Sequence, residues 1–129
     1  MKKVIFTILC SAISFISVQA QTNILAKTTW KVEDIKQNGS AIFTRAKTIK
    51  FPSEQPTFNY IQFNEDKKYY SGSTCFQMVG TYSVYEDNQV EISEGTADMS
   101  SDCKEPKTFT GTYTFTIDKD RLELIPVKN

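Results

Sequence analysis

The side chains that most often carry chemistry are sparse in this chain, and one type is missing outright. None of the 129 residues is a histidine, which removes Ser-His-Asp and Cys-His nucleophile systems together with the usual zinc and copper sites. No glycine-rich phosphate loop follows an apolar run. Cysteines stand at positions 10, 75 and 103, and the sequence around Cys75 offers no basic partner of the kind an activated thiolate needs. Carboxylates are the remaining acid or base candidates. Glu94, Asp98, Asp102 and Glu105 cluster with Ser100 and Ser101, an oxygen-rich set of the type that holds hard cations. The spacing lacks the alternating acidic positions and distal glutamate of a calcium loop. A solvated acidic loop is therefore the expectation, with no metal and no cofactor. Catalysis by paired carboxylates depends on their separation in space, which spacing along the chain does not supply, and the chain is read as a non-enzyme.

These residues must be positioned by a domain that begins well inside the sequence. Lys2 and Lys3 precede the apolar run Val4 to Val18, and Val18-Gln19-Ala20 has the small-residue form of a cleavage site, so residues 1–20 read as a secretory signal peptide. The run of about 15 residues is shorter than the roughly 20 that span a bilayer. Cleavage after Ala20 would export the protein to the periplasm or beyond and leave no membrane span. Residues 21–27 show little pattern and read as a flexible leader, and residues 28–129 as one β domain. That length suffices for a single modest core. Lysines and arginines equal the acidic residues, 15 each, and no basic patch is interleaved with aromatics. Nucleic acid is a poor candidate partner.

Export also changes the meaning of the cysteines. An oxidising compartment lets thiols pair, and once the signal peptide is removed Cys75 and Cys103 have only each other. Two separate buried thiols are the alternative. The run Tyr69 to Tyr82 reads as two strands joined through a corner that carries Cys75, with Gly72 and Gly80 as the places where the backbone can bend sharply or be approached closely.

The rest of the chain alternates with a period of two. Trp30 and Val32 oppose Lys31 and Glu33, Asn38-Gly39 is a hairpin signal, and Ile49 with Phe51 suggests a short strand. Pro52 and Pro56 interrupt any ladder. Ile61 and Phe63 share one face, and Tyr82 and Val84 are set to face Val90 and Ile92 across a turn at Glu86-Asp87-Asn88. Glu94 to Lys107 reads as an irregular connection. Thr108 to Ile117 then alternates threonine with Phe109, Gly111, Tyr113, Phe115 and Ile117, and Leu122 and Leu124 complete a final hairpin. About seven or eight short strands without a helical period indicate an all-β fold, a small antiparallel meander barrel or closed sandwich. In such a barrel Tyr60, Phe63, Tyr82, Tyr113 and Phe115 are the residues expected to line a ligand cavity if one is present, or to fill the core if none is.

Tyr60-Ile61-Gln62-Phe63, Gly72, Cys75, Gly80-Thr81-Tyr82, Asp98-Met99 and Cys103, with Thr29-Trp30 ahead of them, resemble the pattern of the META or HslJ-like family of small exported bacterial domains. The chain departs from that pattern at Phe76, where asparagine is usual, in the serines between Met99 and Cys103, and in lacking a helix after the second cysteine. The tryptophan-led first strand and the Asp120-Arg121-Leu122-Glu123-Leu124 hairpin also resemble exported lipocalin-like domains. The first resemblance implies a noncatalytic envelope or stress-related role, and the second a binder of a small apolar ligand. A protein-interaction module such as a protease inhibitor, presenting the Glu94 to Lys107 loop, is the third reading.

Overall fold

A computed structural model describes residues 23–99, 102–104 and 107–127. The signal-peptide reading of residues 1–20 lies outside them. Nine strands follow in order: β1 (Thr28–Ile35), β2 (Ala41–Ala46), β3 (Tyr60–Phe63), β4 (Lys68–Gly72), β5 (Phe76–Tyr85), β6 (Gln89–Ile92), β7 (Thr96–Met99), β8 (Gly111–Asp118) and β9 (Arg121–Pro126), with a single 3-10 turn at Glu86–Asn88. Every pairing is antiparallel. Around the barrel the order is β2-β1-β3-β4-β5-β6-β8-β9, and β9 closes on β2. Eight strands thus form a closed barrel and β7 is an extra strand on β5. No helix among the described residues is long and apolar enough to cross a membrane.

The expected meander holds from β3 to β9 apart from the added β7, and departs at the start. β1 sits between β2 and β3, so the chain leaving β2 must pass β1 to reach β3. A hairpin cannot do this, and residues 47–59 form the long connection that does. The short strand expected at Ile49 and Phe51 is absent, and the regular pairing lies earlier, at Ala41–Ala46. The connection expected to be irregular from Glu94 contains β7, laid along the first half of β5 with Phe76 opposite Met99 and Val79 opposite Thr96.

Inward residues fill the barrel. Trp30, Phe43, Phe63, Tyr82, Phe109, Tyr113, Phe115, Leu122 and Leu124 belong to one contiguous buried cluster, with Phe63 edge-on to Tyr82 at 4.8 Å and Phe43 edge-on to Phe109 at 5.1 Å. Such ring pairs contribute beyond their buried area. Leu25, within the stretch read as a leader, is fully buried in the same cluster, and the turn that carries it is tied by Asn23, whose Oδ1 accepts from the Leu25 and Ala26 amides. Regular alternation would send Val32 and Ile35 to opposite faces. The β1–β2 register shifts between Val32 and Asp34, a bulge that lets both pack on the core. Gly111 adopts φ +126° at the start of β8, a backbone conformation that glycine takes without steric cost.

Candidate functional site

Alternation along β3 puts Ile61 and Phe63 in the core and turns Tyr60 and Gln62 to the outer surface. All four are nonetheless buried. What covers the outer pair is the crossing connection of residues 47–59. Gln62 anchors it: its Oε1 accepts from the Ile49 amide at 2.8 Å and from Thr29 Oγ1 at 2.7 Å, and its Nε2 donates to the Ile49 carbonyl at 3.2 Å. Two residues on, the Phe51 ring lies 5.8 Å from Tyr60 and 4.8 Å from Tyr70. The Phe51-Pro52 peptide is cis. Lys50 and Glu54 close the following turn through reciprocal bonds to each other. The barrel therefore carries a second, smaller apolar layer outside its wall.

The far side of this layer is the corner between β4 and β5. Gly72 sits at φ +154°, and a Cβ there would come within 2.0 Å of the Phe76 carbonyl oxygen; the amide of Ser73 donates to that same oxygen at 2.9 Å. Only glycine fits such an approach. Cys75 is bonded to Cys103 across a Cα separation of 5.8 Å, which straps the corner to the segment beyond β7.

Between loop and corner lies a cleft of about 410 Å³. Phe51, Pro52, Pro56 and Phe76 make its apolar walls. Its polar groups are Gln55, Gln77, Asp98, the Ser73-Thr74 stretch and Tyr60. Asp98 arrives from β7, where it is the Cα partner of Gln77. Among the described residues, exposed Asp98 is the one ionisable side chain in the lining, apart from the phenol of Tyr60.

Tyr60 stands apart from the other buried tyrosines. Tyr69 donates its hydroxyl to the Ser93 carbonyl, Tyr82 to the Asn64 carbonyl at 2.6 Å, and Tyr113 to the Thr110 carbonyl at 3.4 Å. The Tyr60 hydroxyl, closed off from solvent, has no partner among the described residues. Burial, assisted by the neighbouring Tyr70, pushes its pKa far above the ordinary phenol value, so the group is a neutral donor at any physiological pH. A buried hydroxyl without a partner costs roughly 1–3 kcal/mol.

Of the five residues expected to line a cavity, the structure places only Tyr60 at this cleft. Phe63, Tyr82, Tyr113 and Phe115 pack against one another's neighbours in the barrel interior. Cys75 and Cys103 are paired as expected. Of the acidic cluster, Asp98 reaches the cleft, Glu105, Ser100 and Ser101 lie outside the described residues, and no group of three or more potential metal ligands occurs among those described. Phe51, Gln55, Phe76 and Gln77 are the cleft residues that sequence reasoning passed over. The signal available was Pro52 and Pro56 beside aromatics in a segment too long for a hairpin. No family model, curated protein or solved structure matches the chain.

Proposed function

We propose that this chain is a noncatalytic exported domain with an envelope or stress-related role, like the META/HslJ-like domains it resembles, and that it binds a small molecule in the cleft between residues 51–56 and the β4–β5 corner. The observation that carries the reading is the cleft itself, which brings the apolar walls of Phe51, Pro52, Pro56 and Phe76 together with polar side chains from three separate segments. The mixture of apolar walls with a few fixed polar groups is the usual make-up of a ligand site. The filled barrel favours this outer cleft over a lipocalin-like interior cavity. A lone carboxylate among the described lining residues supports binding over acid–base catalysis. The disulfide supports export, because such bonds persist in oxidising compartments.

The test is native mass spectrometry of the disulfide-bonded protein recovered from its exported fraction without refolding, beside the Phe51→Ala variant, which removes one wall of the cleft. A copurified small molecule lost in the variant is the expected result. A molecule retained by Phe51→Ala but lost on substituting Phe115 would move the site into the barrel and overturn the reading.

A further inference from the structure

The cleft has one fixed wall and one that is held only at its ends. The β4–β5 corner is fixed by the close approach at Gly72 and by the Cys75–Cys103 bond. The opposite wall comes from residues 51–56 of the crossing connection, and the backbone ties of that connection lie on either side of the wall. Ile49 is held through its amide and carbonyl by Gln62. Asn59 is held through its carbonyl, which accepts from the Val32 amide at 2.9 Å. Between these two points every hydrogen bond among the described residues is local: the Lys50 amide donates to Glu54 Oε1, and the Glu54 amide and Ser53 Oγ both donate to the Lys50 carbonyl. What keeps the stretch on the barrel is packing, chiefly the Phe51 ring against Tyr60 and Tyr70 and the buried Pro56.

We infer that residues 50–58 are a flap, hinged at Ile49 and Asn59, which lies closed over Tyr60 and lifts as a unit to open the cleft. The bonds among Lys50, Ser53 and Glu54 travel with the flap, so lifting breaks none of them. The dihedral change falls on the few residues at its two ends, as in other hinged loops. Closure is opposed from beneath. The Tyr60 hydroxyl is sealed without a partner under the closed flap and meets water when the flap lifts, and an unpaired buried hydroxyl disfavours the state that buries it. Ring packing and the orphaned hydroxyl pull in opposite directions, which keeps the two positions close in free energy. The flap's part in admitting a ligand rests on the binding function proposed above; its motion does not.

The experiment is nuclear magnetic resonance relaxation dispersion on the disulfide-bonded protein with no small molecule added, which reads loop opening on the microsecond-to-millisecond timescale. The Tyr60→Phe and Phe51→Ala variants are measured beside it. Exchange should appear at amides within residues 50–58 and be absent at Phe115 and Leu124 in the barrel. Tyr60→Phe should lower the open population by about fivefold, because closure no longer strands a hydroxyl. Phe51→Ala should raise it by about tenfold, through loss of both ring contacts. An open population unchanged in Tyr60→Phe overturns the inference, since a loop that merely frays is indifferent to that hydroxyl. Flat profiles at residues 50–58 in both the parent and Phe51→Ala overturn it as well. The binding function fails separately: a flap that exchanges as described in a protein from which no molecule copurifies leaves the motion standing without a ligand, and a rigid flap beside a molecule lost in Phe51→Ala does the reverse.

Discussion

Gln62 holds Ile49 as a neighbouring strand would, with its side-chain amide accepting from the Ile49 N–H and donating to the Ile49 C=O. A single residue thereby replaces a ladder, and Ile49 is buried without belonging to the sheet. The crossing connection is long because β1 separates β2 from β3. A loop of that length has entropy to lose, and Gln62 is where it is tied down.

Substituting Gln62 should therefore act at a distance from itself. Gln62→Ala removes the partners of the Ile49 amide and carbonyl and of the Thr29 hydroxyl at once. Urea unfolding should show a loss of about 2–4 kcal/mol, more than one neutral hydrogen bond contributes. Amide exchange at Ile49 should accelerate while that of Phe115, in the core, follows only the global stability. Equal acceleration at both would mean the loop is not separately anchored.

Tyr60→Phe should behave unlike the other buried tyrosine-to-phenylalanine changes. Removing a hydroxyl that has no partner takes away a desolvation cost and no bond, so the unliganded protein should be unchanged or more stable by up to about 1 kcal/mol. Tyr82→Phe, by contrast, breaks the bond to the Asn64 carbonyl and the one from Asn23, and should cost about 1–2 kcal/mol. Denaturant midpoints of the two variants against the parent decide the matter. A Tyr60→Phe loss as large as that of Tyr82→Phe would show that the hydroxyl is satisfied in solution.

How far the sequence could be read depended on whether a feature was local. The β8–β9 hairpin was plain because Tyr113, Phe115, Leu122 and Leu124 alternate on both sides of a short turn, and all four are buried. The Tyr82–Ile92 and Val84–Val90 pairs were legible for the same reason. Nothing local states that β2 pairs with β9 while β1 turns to β3. Ile49 and Phe51 have strand spacing because they cover an outer face, and spacing alone does not say which partner supplies the hydrogen bonds. The cleft was hidden by the same exchange. Its residues come from the crossing loop, the β4–β5 corner and β7, three segments joined only by the topology.

The disulfide should contribute stability out of proportion to its surface position. It links residues 28 apart, and closing a loop of that size restricts the unfolded chain by about 3–4 kcal/mol on the chain-entropy account. Cys103→Ser should melt well below the oxidised parent and match the reduced protein. Because Cys75 lines the cleft, loss of the bond should also weaken any ligand bound there. Identical melting curves for oxidised and reduced protein would remove the bond from the account of the fold.

Alkaline pH should unfold the protein through its buried phenols. The Tyr69 pKa is pushed up from the ordinary phenol value to about 12, chiefly by burial and further by Glu94, and burial also raises Tyr60, Tyr82 and Tyr113. A folded-state pKa above the unfolded one means the unfolded chain gives up the proton first. The stability held by these neutral hydroxyls is therefore complete below pH ~10 and declines as pH climbs toward the folded values, at about 1.4 kcal/mol per pH unit for each such group. Denaturant midpoints should be flat through neutral pH and fall steeply above pH ~10. Tyr69→Phe should be less stable than the parent at neutral pH, having lost its bond to the Ser93 carbonyl, yet lose less on going to high pH. Phenolate absorbance supplies the cross-check: ionisation of the buried tyrosines should coincide with loss of near-ultraviolet circular dichroism. Full ionisation of Tyr69 in a still-folded barrel below pH ~11 would mean that its site is wetter than the packing indicates.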